Sequence, residues 1–225
     1  MNFTKKNTAS FDVDAQNTFT PRCPTELPVP DGDTIVGALN AQAQMARIRV
    51  GSKDAHAPNA SWVATQEQPM FSPVDTTDSD IRWNAHAVVG SYGFALLEGL
   101  PHPREYDFFV WKGIEPDMHP YGACYHTLNW RQKRMSTGVI EYLKAEGITT
   151  VIVGGLAIDY CVRNTALQLR DAGFEVVLNL SASRGIALST VAEAIAEMKD
   201  MGIVVVDDVT TCELFNDDIG NNLFN

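Results

Sequence analysis

A chain of 225 residues, 45% hydrophobic and 20% charged, has the length of one large domain or one domain with an elaborate loop, at roughly 150 residues per domain. No stretch approaches the roughly 18 uninterrupted apolar residues of a membrane span, and 28 acidic against 17 basic residues give a net charge of −11 that repels a phosphate backbone. Membrane and nucleic-acid partners are set aside on these grounds. Cys23, Cys124, Cys161 and Cys212 include no CxxC pair, which reads as free thiols in a reducing compartment. The N-terminus lacks the apolar run and cleavage site of a secretory signal, so the expected location is the cytoplasm.

Short β-rich runs alternate with segments of helical period, the pattern of a parallel sheet with crossover helices. In chain order, the sequence predicts a strand over 9–14, a Pro/Thr-rich loop over 20–33, and a helix capped by Asp33-Thr34 and running to about Met45. A strand follows over 46–52. From 53 to 104 regular periodicity disappears, and a segment of that length rich in Pro, Asn, Ser and Asp reads as a functional loop. A strand over 106–111 and a helix over 136–146, stopped by Gly147, lead into an unambiguous β-α-β series. Its strands cover 150–153, 175–180 and 203–206, and its helices cover 159–172, closed by Gly173, and 189–201, closed by Gly202. Residues 216–225 form a polar tail with few apolar anchors. The expected fold is a doubly wound α/β domain over 1–225. Its sheet is six-stranded and mainly parallel, with helices on both faces, and 53–104 is a long active-site loop within it.

Ligands of such sheets bind beyond the carboxyl ends of the strands, and the residues there are chemically rich. The first strand ends in Asp14, the second leads to Asp54 and His56, the third to Lys112, and the fourth passes through Gly154-Gly155-Leu156-Ala157 to Cys161. A lone cysteine is ordinarily a core residue. One in the first turn of a helix feels unsatisfied backbone N–H groups that favour thiolate, which makes Cys161 a candidate nucleophile. Lys112 follows Phe108-Phe109-Val110-Trp111 and either reaches water or turns into the rim. Asp14 either serves an Asx turn or belongs to the same group. Asp12, on the same strand face, is a carboxylate in a strand expected to be buried, which calls for a basic partner that the sequence does not identify. Asp54 and His56, spaced i, i+2, point the same way in extended chain and can share a metal once a third ligand is found, for which His86 is the candidate. His102, His119 and His126 have proline or aromatic neighbours and no partner at ligand spacing, so they read as surface or packing residues.

These residues resemble, over most of the chain, the isochorismatase-like cysteine hydrolases, and within them the nicotinamidases (pyrazinamidases). Asp14-Ala-Gln-Asn-Thr-Phe19 resembles the family's DxQNxF segment, Asp54-Ala-His56 its DxH pair, Trp83-Asn-Ala-His86 its WPxH segment and Lys112-Gly113 its lysine motif. Gly155-Leu-Ala-Ile-Asp-Tyr-Cys-Val162 resembles its cysteine signature and is the most specific match. The resemblance implies a Rossmann-like fold and hydrolysis of a carboxamide, nicotinamide to nicotinate and ammonia, through a thioester at Cys161. It assigns Asp14 as proton acceptor, Lys112 as the cation beside it, and the N–H groups of Ala157 and Cys161, next to a cis Leu156–Ala157 bond, as the oxyanion hole. It further implies Asp54, His56 and His86 as ligands of one divalent transition metal, zinc first and iron or manganese also, and Phe19, Trp83 and Tyr121 as the aromatic pocket for a small heteroaromatic amide. A homo-oligomer is implied by the family alone. After His56 the chain reads Ala57-Pro58-Asn59-Ala60, without the further histidine often found there in the family. Two other readings stand beside this one: a relative acting on another small amide or carbamoyl substrate, with or without metal, and a non-enzymatic module that keeps the fold.

Overall fold

The computed structural model describes residues 3–75, 78–129, 131 and 135–213; the polar tail at 216–225 lies outside them. Six strands form one sheet: β1 (Thr8–Val13), β2 (Ile48–Asp54), β3 (Phe108–Lys112), β4 (Thr150–Leu156), β5 (Glu175–Arg184) and β6 (Val204–Val206), in the order β3-β2-β1-β4-β5-β6. Every pairing is parallel, so the mainly parallel sheet read from the sequence is parallel throughout. The central strands β1 and β4 are buried along their whole length, as continuous apolar runs such as Val151-Ile152-Val153 require when both faces are covered. Four helices supply the cover: α1 (Val36–Gln44), α2 (Val139–Ala145), α3 (Arg163–Asp171) and α4 (Leu188–Asp200). Strand order reverses between β1 and β4, which is the switch point of a doubly wound sheet. Among the described residues no helix is long and apolar enough to cross a membrane.

The strands reach further at their carboxyl ends than periodicity predicts: β2 to Asp54, β4 to Leu156 and β5 to Arg184. Polar and glycine residues there stay in the ladder, Asp54 opposite Lys112 and Gly155 opposite Ser183, although as sequence they read as loop. The helix expected from 159 starts instead with a π turn over Ile158–Val162, and regular α3 begins at Arg163. The basic partner of Asp12 is Arg49 on β2, at 2.7 Å, joined by the Tyr106 hydroxyl at 2.9 Å. Because Asp12 is buried, this pairing, made wholly through Oδ2, offsets much of the cost of a carboxylate in the sheet.

Two polar side chains hold the irregular segments in place. Gln16 accepts from the Asp54 N–H at 2.8 Å and donates to the Asp54 and Phe94 carbonyls at 2.9 and 3.1 Å, tying the 53–104 loop to the end of β1. Asp159 accepts from the N–H groups of Ile186 (3.1 Å) and Ala187 (3.3 Å) and from the Thr190 hydroxyl (2.6 Å). Ala187, which precedes α4, has no polar side chain, and Asp159 anchors the entry to that helix from 28 residues away.

Candidate active site

The carboxyl edge of the sheet gathers the residues that follow its strands. Lys112, last in β3, is wholly buried, so its ammonium is turned inward and does not reach water. Its Nζ lies 3.0 Å from Asp14 Oδ2 and 3.6 Å from Cys161 Sγ, donates to the Pro120 carbonyl at 3.2 Å, and pairs closely with Asp54 Oδ1. The lysine thus bridges two carboxylates, a role for Asp54 beyond its expected place as a metal ligand. Asp14 also accepts from the Ser52 hydroxyl at 2.7 Å. Gly155 makes the approach of β4 possible: its φ is +135°, and a Cβ there would strike the Val13 carbonyl.

Burial and neighbouring charge set the protonation pattern. Burial pushes the Asp14 carboxyl above its ordinary value, with Lys112 opposing. Against the same cost of burial, Lys112 and then His56 hold Asp54 well below the usual carboxylate range. Lys112 is also penalised by burial, but Asp14 and Asp54 together hold its pKa well above the ordinary lysine value. Burial drives the Cys161 thiol well up, Lys112 pulls it down, and Asp14 and Asp54 raise it again. The helix-start position favours thiolate, as Lys112 does, while burial and the two nearby carboxylates act against it and hold the thiol above its ordinary value beside the Asp14 carboxylate. The Leu156–Ala157 bond is cis, and Ala157 and Cys161 both border the cleft where a carbonyl oxygen would develop charge.

Beside this group three buried imidazoles, His56, His86 and His119, bring their ligand nitrogens within 4.8 Å of one another. His56 Nδ1 lies 2.9 Å from the Gly113 carbonyl and His86 Nδ1 2.7 Å from the Asn84 carbonyl. The opposite nitrogens face Asp54, with His56 Nε2 at 3.5 Å and His86 Nε2 at 3.8 Å. Carbonyls that fix one ring nitrogen and leave the other pointing at a shared carboxylate are the second layer of a metal-binding histidine site. His56 Nε2 is buried with no hydrogen-bond partner. Two carboxylates against one ammonium also leave a buried negative charge that a divalent cation offsets. The residues therefore fit a divalent metal. Of the two readings of His119, surface or packing, the structure excludes the surface one: it is 3% exposed and its ring stacks on His56 at 5.1 Å, and beyond packing it stands beside the other two imidazoles. Sequence spacing conceals this, because the three histidines come from different segments; His102 and His126 are not in the group.

Gly113 lies at φ +70°, and a Cβ there would collide with the His56 ring. Gly113→Ala is therefore expected to displace His56 and to lower bound metal at least tenfold, a loss of the size caused by disturbing groups that orient a ligand. Metal analysis after dialysis against a weak chelator checks this.

The cleft over Cys161 is lined by Phe19, Trp83 and Tyr121, the three aromatic residues singled out in the sequence, together with His86, Leu27, His119, Tyr160 and Ile186. Trp83 Nε1 donates to the Tyr121 hydroxyl at 3.1 Å, which donates to Asp80 at 2.7 Å, so the long loop fixes both rings. Tyr160 meets Trp83 edge-on at 5.0 Å. Its place directly before Cys161 was the available sequence signal, whereas nothing in the sequence marks Leu27 or Ile186.

A parallel α/β sheet carrying a buried thiol, carboxylate and ammonium together at its carboxyl edge has the make-up of a cysteine hydrolase. Residues 8–208 match the isochorismatase domain, and the chain belongs to that family. It is 30% identical over 198 residues to the nicotinamidase of Escherichia coli (strain K12), covering 84% of this chain and 90% of that one. The structure of an Acinetobacter baumanii nicotinamidase/pyrazinamidase superposes with a TM-score of 0.80 at 30% identity, covering 89% of this chain and 96% of the other. The pyrazinamidase of Pyrococcus horikoshii in complex with zinc gives a TM-score of 0.70 at 28% identity, covering 89% and 98%.

Proposed function

We propose that the protein is a nicotinamidase, hydrolysing nicotinamide to nicotinate and ammonia and so returning the pyridine ring to NAD salvage. The observation that carries the chemistry is the meeting of Lys112 Nζ with Asp14 Oδ2 at 3.0 Å and Cys161 Sγ at 3.6 Å in a buried site. Cys161 is the nucleophile. As its sulfur bonds to the amide carbon, Asp14 takes the thiol proton, and the N–H groups of Ala157 and Cys161 receive the oxyanion. Asp14 then gives the proton to the departing nitrogen, the C–N bond breaks, and ammonia leaves a thioester on Cys161. Water, losing a proton to Asp14, attacks the thioester carbon; the C–S bond breaks, the acid leaves, and Asp14 returns the proton to the Cys161 sulfur. Lys112 stays protonated throughout and keeps Asp14 in place between proton transfers.

Asp54, His56 and His86 would hold the metal, with zinc suited to a set of imidazoles and a carboxylate and iron or manganese accepted by the same donors. When bound, the metal supplies a Lewis-acidic anchor for the ring nitrogen of the substrate. Phe19, Trp83 and Tyr121 flank a flat heteroaromatic ring. Four free cysteines support a reducing compartment, the cytoplasm.

The test is ammonia release from nicotinamide by the purified, metal-loaded protein, with the acid product identified by chromatography. Stoichiometric ammonia and nicotinate are expected. Release from other small amides but none from nicotinamide would replace this reading with the related hydrolase acting on a different amide.

A further inference from the structure

We propose that His119 is a direct ligand of the metal, so that three imidazoles from three separate segments and the Asp54 carboxylate share one ion. The proposal rests on the reading that this site holds a divalent metal. His119 is buried in the group, and neither of its ring nitrogens has a hydrogen-bond partner. An imidazole deprived of water and left without a partner on both nitrogens is costly, and a cation is the natural partner for one of them. The ligand nitrogens of His56, His86 and His119 lie within 4.8 Å of one another, against about 3.4 Å for two nitrogens bound tetrahedrally to one ion at 2.0–2.1 Å.

The surroundings favour this ring at this place. His119 is braced by His56 at 5.1 Å, Trp62 at 4.3 Å and Trp83 at 6.2 Å between ring centroids. Its backbone N–H donates to the Asp78 carbonyl at 2.7 Å, which fixes it against the long loop. The next residues are Pro120, whose carbonyl receives Lys112 Nζ, and Tyr121, which lines the cleft. Coordination through His119 therefore ties the segment after β3 to His56 after β2 and to His86 in the long loop. The metal then fastens the pocket wall together as well as anchoring the substrate.

The test compares wild type with His119→Phe, which keeps an aromatic ring in the stack but removes the nitrogens, and with His119→Cys, which offers a different donor. Zinc affinity is measured by competition with a chromophoric chelator, and cobalt(II)-substituted proteins are examined by visible and near-ultraviolet absorption; far-UV circular dichroism confirms folding. Expected are zinc binding at least about tenfold weaker in His119→Phe, altered cobalt ligand-field bands, and in His119→Cys a thiolate-to-cobalt charge-transfer band absent from wild type. That band arises only if the side chain at 119 coordinates, so a residue that merely packs would not produce it. Unchanged zinc affinity and cobalt bands in His119→Phe, with no charge-transfer band in His119→Cys, would overturn the role of His119 and leave the metal site standing. Failure of wild type to bind zinc or cobalt at all would overturn the metal reading and the proposal with it.

Discussion

In protein stripped of metal, Lys112→Met is expected to cost about 3–5 kcal/mol of stability at pH 7, the penalty for leaving a buried charge without its partner. The methionine keeps most of the side-chain length, so the loss is electrostatic. Lys112 is wholly buried and bridges Asp14 and Asp54, and without it two carboxylates share a dry pocket. The pH dependence gives the sharper signature. In wild type, the depressed pKa of Asp54 contributes stability that is present above the unfolded carboxyl value, near 4, and lost as pH falls through the folded one. In the variant both carboxyls are raised, so the folded state binds more protons than the unfolded state between the raised values and about pH 4. Stability then increases as pH is lowered through that window. Urea unfolding at pH 7 and pH 5 checks the sign, and a variant as stable as wild type at pH 7 would contradict the bridging role.

Cys161→Ala is expected to lower kcat for ammonia release by roughly a thousandfold or more, because it removes the atom that forms the thioester. The same variant should bind as much metal as wild type at the three imidazoles, since the sulfur groups with Asp14 and Asp54 and not with them, and should keep its thermal midpoint within a few degrees. Activity assay, metal analysis and thermal unfolding on one preparation separate loss of the nucleophile from loss of the site. Turnover within tenfold of wild type would exclude a covalent route through this residue.

The order of the elements was legible because each apolar run has the length and period of a strand or helix, and the sites after β1, β2, β3 and β4 could be inspected from that order alone. Strand ends were less legible for a physical reason. Asp54, Lys112, Gly155 and Ser183 stay in the ladder, but polar and glycine residues carry no apolar period, so the functional edge of the sheet reads as loop. His119 was invisible for a related reason: it lies between β3 and α2 in a stretch without periodicity, and its partners are 33 and 63 residues earlier in the chain. The burial and carboxylates that act on Cys161 were likewise hidden, because a helix-start argument counts backbone N–H groups but not the groups that only the fold brings together.

Asp159, two residues before Cys161, accepts from the Ile186 and Ala187 N–H groups at the entry to α4 and thereby holds the Ile186 wall of the cleft. The nucleophile's turn and that wall are consequently one mechanical unit, although the sequence separates them by a whole α-β stretch. For protein engineering this means that the Gly155–Val162 segment is not a portable module: moved to another scaffold without a matching backbone for Asp159 to receive, it would carry the sulfur but not its surroundings. Conversely, widening the cleft by substituting Ile186 alone is the more conservative route to a new amide, because the Asp159 bond there is made by the backbone and survives the change of side chain.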